Sequence, residues 1–259
     1  MSALLDGRRG VILGVSSENS IGFQLARALR AHGAQVALTC RPARVEQVAP
    51  LAASLDAPLL PVDVDDQGSM ARAFAELGAD GQRLDFLLHS IVNVPDGLLA
   101  RSLLEVERRD FEHTLSVAAW SLVEACRFAR PLLARSPSPR VVALTSACGH
   151  RMTPRYHVAG IAKAALESAV LYLAMQLGRE GILVNAVGSS FLATDGAVRA
   201  VGADAAAGTR AIQAKKSATG RAVDFDDIAG TVAYLVSPLA RNLTGEVVTV
   251  DGGFSRSYL

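Results

Sequence analysis

The stretch Val11-Ile12-Leu13-Gly14-Val15-Ser16-Ser17-Glu18-Asn19-Ser20-Ile21-Gly22 decides the fold of this chain. A short apolar run reads as a strand covered on both faces. A loop with Gly14, Ser16 and Ser20 follows, and an amphipathic pattern over 21–31 reads as a helix. Glycine lets backbone approach a pyrophosphate closely. The helix start at Ile21 and Gly22 offers free N–H groups and the positive end of a dipole.

The same alternation continues outward. Apolar runs over 35–39, 59–62, 86–89, 141–145, 183–187 and 247–250 read as further strands. Helical patterns cover 69–77, 111–133, 159–178 and 225–235. This order predicts an α/β fold: a Rossmann-type doubly wound parallel sheet of about seven strands, with helices on both faces. No repeat or linker divides the chain, so residues 1–259 read as one dinucleotide-binding and catalytic domain. The Ala- and Gly-rich stretch 193–208 is the least core-like part, and a mobile substrate-covering segment is expected near 193–216.

Bulk properties exclude several classes. A net charge of +1 gives no electrostatic case for nucleic acid. No run of about 18 uninterrupted apolar residues suggests a membrane span. The N-terminal residues lack a signal-peptide layout. Cys40, Cys126 and Cys148 make neither a disulfide framework nor a metal-spacing pattern, so no metal is expected and a reducing cytoplasm is the default.

Two further positions bear on the cofactor. Arg41 follows the second strand, where the adenosine ribose of a dinucleotide lies. A basic residue there pairs with a 2′-phosphate, so Arg41 favours NADPH, with NADH as the alternative. Asp63 and Val64 follow the third strand, in reach of the adenine.

The chemistry centres on Tyr156 and Lys163, seven residues apart in Tyr156-His-Val-Ala-Gly-Ile-Ala-Lys163. Two helical turns place both on one face, roughly 10 Å apart along the axis. The cation lowers the pKa of the phenol and makes Tyr156 a competent proton donor or oxyanion partner. The chain has only three lysines, Lys163, Lys215 and Lys216, which argues against surface filler at 163.

These segments resemble the short-chain dehydrogenase/reductase family, and within it the bacterial NAD(P)H-dependent enoyl-acyl-carrier-protein reductases. The matching runs are the Gly14–Gly22 loop, Asp63-Val64, His89-Ser90-Ile91, Tyr156 to Lys163, Val184-Asn185-Ala186 and 245–254. The resemblance implies that Lys163 holds the nicotinamide ribose and that Tyr156 bonds the thioester carbonyl. It implies hydride addition to the β-carbon of an enoyl chain, borne by an acyl carrier protein or coenzyme A. Ser90 and Ile91 would line the cofactor channel. Leu192 and Thr194 would face the nicotinamide and phosphates. A homotetramer is implied through the long helices, with Ala162, Ala165, Ala169 and Leu173 as a small-residue face.

Departures from that branch are concentrated near the substrate. Ser146 stands ten residues before Tyr156, where a second aromatic hydroxyl is usual. Ser189-Ser190-Phe191 replaces a Pro-Gly turn, Val92 a glycine and Ala159 a methionine. Ser116-Val117-Ala118 stands where ordinary family members use an asparagine for a proton relay. The pattern implies a divergent enzyme of a specialised biosynthetic pathway. Two alternatives stay open. One is a carbonyl reductase in which Ser146 orients a ketone. The other is a non-catalytic dinucleotide sensor. His89 and His113 show no acid–nucleophile setting, His157 reads as packing or rim, and Cys148 as a pocket filler.

Overall fold

The computed structural model describes residues 3–257, apart from the Cys148 side chain, so the pocket-filler reading of that thiol lies outside the described residues. In chain order the elements are β1 (Arg9–Leu13), α1 (Ile21–Ala31), β2 (Gln35–Cys40), α2 (Val45–Ser54), β3 (Leu59–Pro61), α3 (Ser69–Gly78) and β4 (Phe86–His89). Then follow α4 (Arg108–Leu115), α5 (Ser121–Leu133), β5 (Arg140–Ser146), α6 (His157–Leu177), β6 (Leu183–Ser189), α7 (Asp195–Val201), α8 (Ala203–Lys216), α9 (Phe225–Leu235) and β7 (Val247–Val250).

The seven strands form one parallel sheet in the order β3-β2-β1-β4-β5-β6-β7. The order reverses between β1 and β4. The loops leaving those two strands therefore diverge to opposite faces and open a crevice at the carboxyl edge. Each face of the sheet buries its own core. Ile12, Leu38, Leu88, Val142 and Val187 pack with α1 and α9, while Leu13, Leu87, Val141 and Ala143 pack with α3, α5 and α6. Consecutive strand residues alternate between the two cores, which is why these strands show no polar face.

Seven strands stand where the apolar runs place them, and the helices over 21–31 and 225–235 keep the expected bounds. One expectation needs correction, and two further stretches take shape only in the structure. The helical pattern over 111–133 is not continuous: a π turn over Ser116–Trp120 separates α4 from α5. The stretch 193–216 forms two helices, α7 and α8, because alanine carries enough helix propensity without an apolar stripe. Helix α2, with Pro50 inside it, lies outside the helical patterns read from the sequence. Helix α6, with its short extension to Glu180, is long and apolar enough to cross a membrane by composition. It instead lies on the sheet, with Ala162, Leu166 and Val170 fully buried.

Candidate active site at the carboxyl edge of the sheet

Lys163 projects from α6 into the protein and is only 6% exposed. Its Nζ donates to Leu144 O on β5 at 2.8 Å. Burial lowers its pKa to about 8, and Glu167, one turn further along α6, opposes that shift. An ammonium so placed sits at the boundary between charged and neutral near physiological pH. Tyr156 is not a helical residue as the spacing suggested. It is the N-cap of α6, with φ −138° and ψ 14°. It is half-buried against Leu98, Leu99, Val158 and Ala159. Ser146 ends β5 opposite Ser189 of β6, and its hydroxyl donates to Ser189 O at a long 3.4 Å. Thus β5 supplies Ser146 and the start of α6 supplies Tyr156.

The nucleotide end is built around Gly14. Its φ of +93° lies in the left-handed region, and a Cβ there would stand 2.5 Å from Ser90 O. Only glycine lets the loop after β1 run this close to the loop after β4. Ser90 N–H donates to Leu13 O at 3.0 Å, which holds Ser90 and Ile91 at the crevice. The Ser20 hydroxyl caps α1 by accepting from Phe23 N–H at 3.4 Å, and Ser16 N–H reaches the same oxygen at 3.4 Å. Ile21 opens α1 and packs partly buried on the core. A glycine cradle, a capped helix start and a buried lysine fit a dinucleotide lying across the carboxyl edge.

Arg41 is exposed just past β2 and forms no ion pair among the described residues. Asp63 accepts from Asp65 N–H at 3.1 Å, and its own N–H is held by the Ser69 hydroxyl. Val64 packs partly buried against the α3 side of the core. Leu192 is 6% exposed and packs in the core cluster that includes Ile228 and Val232 of α9. Thr194 caps α7, its hydroxyl accepting from Ala197 N–H at 3.1 Å. Val92 is half exposed at the crevice rim.

Four positions take partners that the sequence does not show. Asn19 Nδ2 donates to Ala193 O at 3.0 Å and to Asp195 Oδ1 at 3.2 Å. Buried Gln213 of α8, its amide turned to suit, donates to Phe191 O at 3.1 Å and accepts from Phe191 N–H at 2.6 Å. The segment 193–216 is therefore fastened at both ends. Glu167 accepts from Thr145 Oγ1 at 2.7 Å and lies 3.4 Å from His150 Nδ1, which ties the loop after β5 to α6. His89 is buried beside Ser121 of α5. His157 stays at the rim, its Nε2 3.0 Å from Arg101 O. A second cavity, of about 460 Å³ among Arg9, Arg83, Asp85 and Arg135, lies at the opposite edge of the sheet and takes no part in this site.

A family model described as enoyl-(acyl carrier protein) reductase matches residues 14–255. The NADH enoyl-acyl-carrier-protein reductase 2 of Rhizobium meliloti is 34% identical over 260 residues, covering 98% of this chain and 94% of its own. The crystal structure of the Anaplasma phagocytophilum enoyl-acyl-carrier-protein reductase with NAD superposes with a TM-score of 0.93 at 30% identity, covering 100% of this chain and 98% of that one. The Bacillus cereus enoyl-acyl-carrier-protein reductase with NADP+ and indole naphthyridinone gives a TM-score of 0.93 at 29% identity, covering 99% and 100%. The matched range includes both the glycine loop and the Tyr156–Lys163 pair.

Proposed function

This chain belongs to the enoyl-(acyl carrier protein) reductase family, and from that membership we propose that it reduces the α,β-double bond of an enoyl thioester with a nicotinamide dinucleotide. The observation that carries the reading is Lys163, buried on α6 behind Tyr156 and anchored on Leu144 O. A bound nicotinamide dinucleotide supplies the hydride. The protein's own residues supply orientation and electrostatics. Gly14, Ser16, Ser20 and Ile21 bind the phosphate end, with Thr194 on the other side. Ser90 and Ile91 line the channel, with Leu192 behind it. Lys163 orients the ribose and lowers the Tyr156 pKa. Tyr156 bonds the thioester carbonyl and stabilises the enolate that forms when the β-carbon is reduced. Ser146, where a second aromatic hydroxyl would be bulkier, leaves space for a wider acyl chain.

The proposed nucleotide is NADPH. Arg41 stands free at the end of β2, and the connection Arg41-Pro42-Ala43-Arg44 to α2 holds no carboxylate to receive a ribose 2′-hydroxyl. Asp63 and Val64 take the adenine side. The acyl group is proposed to arrive on an acyl carrier protein, with α7 and α8 covering it within a single-domain subunit. Trp120, Leu171, Tyr172 and Met175 are exposed on the π turn and α6, and support a homotetramer formed through these helices. A cytoplasmic setting belongs to the same proposal. The test is nucleotide oxidation by the purified protein with a short enoyl thioester and the matching β-ketoacyl thioester side by side. Turnover of the enoyl substrate alone is expected, and turnover of the keto substrate alone would overturn the reading.

A further inference from the structure

His89, the last residue of β4, is fully buried on the same sheet face as Leu87 and Ala143, under α5 and α6. Its Nε2 lies 2.8 Å from Ser121 Oγ, and that hydroxyl lies 2.6 Å from Val117 O. Two oxygens this close share a proton, and a carbonyl has none to give, so Ser121 donates to Val117. The π turn explains the arrangement. Ser121 N–H reaches back five residues to Ser116 O, and the hydroxyl takes the next carbonyl along. With its only proton committed, Ser121 can only accept from the imidazole. Nε2 therefore carries the ring hydrogen, and Nδ1 is a bare acceptor. Nδ1 is wholly enclosed and makes no hydrogen bond. Buried acceptors in folded cores are almost always satisfied, by protein or by ordered water.

The charge that acts on His89 is Lys163. His89 pairs across the sheet with Ala143, and the next residue of that strand, Leu144, holds the Lys163 ammonium. That bond uses one of three ammonium N–H groups. We propose that His89 is a positioning residue for Lys163: its bare Nδ1 accepts a second ammonium hydrogen bond through one enclosed water, leaving the third N–H directed at the cleft behind Tyr156. The role rests on reading Tyr156 and Lys163 as the working pair. Burial first, and Lys163 second, lower its pKa to about 3 against a smaller opposing pull from His89's own backbone, so the imidazole stays neutral throughout the working range. Glu167 on α6 is the other charged group acting on Lys163. Tyr156 precedes α6. From α5, the Cys126 thiol is pushed up to about 12 by burial and stays neutral. The Arg140 guanidinium of β5 sits at the far end of the strand, where Arg140 pairs with Phe86, and Trp120 of the π turn is half exposed.

A dipole that accepts from the ammonium favours its charged form. Removing it must lower the Lys163 pKa further. With three lysines in the chain, ε-carbon-labelled lysine gives few signals, and Lys163→Met assigns the one of interest. The titration uses the full-length, nucleotide-free protein and needs no turnover. His89→Asn keeps a polar atom near the Nδ1 position, and His89→Gln keeps one near the Nε2 position. The expected result is a Lys163 midpoint lowered by about one pH unit, a tenfold change in protonation equilibrium, in His89→Gln. His89→Asn should restore the parent midpoint to within about 0.3 unit. A parent-like midpoint in His89→Gln, or equal shifts in both variants, would overturn the proposal, since a purely structural role does not tell the two nitrogens apart. Should either variant fail to fold, the ring nitrogen shifts of the parent His89 report its tautomer, and a hydrogen found on Nδ1 would sink the idea equally. A His89-dependent midpoint in a protein inert toward enoyl thioesters would keep the positioning and remove only the functional reading.

Discussion

Asn19 and Ala193, 174 residues apart, are joined by a 3.0 Å hydrogen bond from Nδ2 to the backbone carbonyl. The loop between β1 and α1, proposed to cradle phosphates, is thereby fastened to the start of the segment 193–216. Asp195 strengthens the clasp, and hydrogen bonds from Ser17 and Asn19 hold its carboxyl below the ordinary range. Asn19→Ala removes both bonds. A net loss of about 1 kcal/mol predicts roughly fivefold weaker nucleotide binding by calorimetry, with little change in Tm because the bond is near the surface. Unchanged affinity would show that the clasp does not couple the two segments.

Tyr156→Phe keeps the ring among Leu98, Leu99 and Val158 and removes only the hydroxyl. The expected outcome is a fall in kcat of about 10²–10⁴-fold with enoyl thioester, while nucleotide affinity stays within about twofold. Parent-like turnover would take Tyr156 out of the mechanism.

Arg41→Ala separates the two nucleotides. A charge-assisted pair with a 2′-phosphate is worth about 1.5–3 kcal/mol, so KM for NADPH should rise roughly 10- to 100-fold and KM for NADH by less than about threefold. Equal losses with both would assign the protein to NADH, the nucleotide in the name of the Rhizobium meliloti relative.

Lys163 carries a cost that its function explains. Its folded pKa of about 8 lies below the 10.5 of a free lysine, with burial as the main cause. Below pH 8 both folded and unfolded chains hold the proton, and the buried charge destabilises the fold throughout that range. As pH rises from about 8 to 10.5 the unfolded chain holds a proton that the folded one lacks, so this group's penalty is relieved and stability increases. Lys163→Met removes the penalty and also one hydrogen bond. Urea unfolding at pH 7 should show a net gain of about 1–2 kcal/mol in an inactive variant, shrinking toward pH 10. A destabilised variant at pH 7 would mean that the ammonium is better solvated than its burial implies.

Gly14→Ala tests the cradle directly. The new Cβ meets Ser90 O at 2.5 Å at a φ of +93°, so two backbone segments must separate. A loss of roughly 2–4 kcal/mol in unfolding free energy and failure to bind nucleotide are expected. Normal binding with ordinary stability would show that the loop has slack.

How much of this was legible follows from the range of each interaction. The strands at 86–89 and 247–250 and the helix at 21–31 are local, since apolar runs and helical spacing are visible over a few residues. Gly14 and the seven-residue step from Tyr156 to Lys163 are local too. The π turn at Ser116–Trp120 left no mark, because an apolar pattern continues through it. Helices α7 and α8 lack an apolar stripe, so only distant partners, Asn19 at one end and Phe191 at the other, reveal what holds them.

The sequence by itself determined the doubly wound sheet and proposed Gly14, Tyr156 and Lys163 as its working residues, because apolar runs and helical spacing are local patterns. The tertiary structure alone decided that Lys163 is buried, that Asn19 clasps Ala193 and that His89 is buried with one unsatisfied nitrogen. Each of those depends on strands and helices far apart in the chain, and burial and partner choice exist only once the sheet order has brought β4, β5 and α6 together.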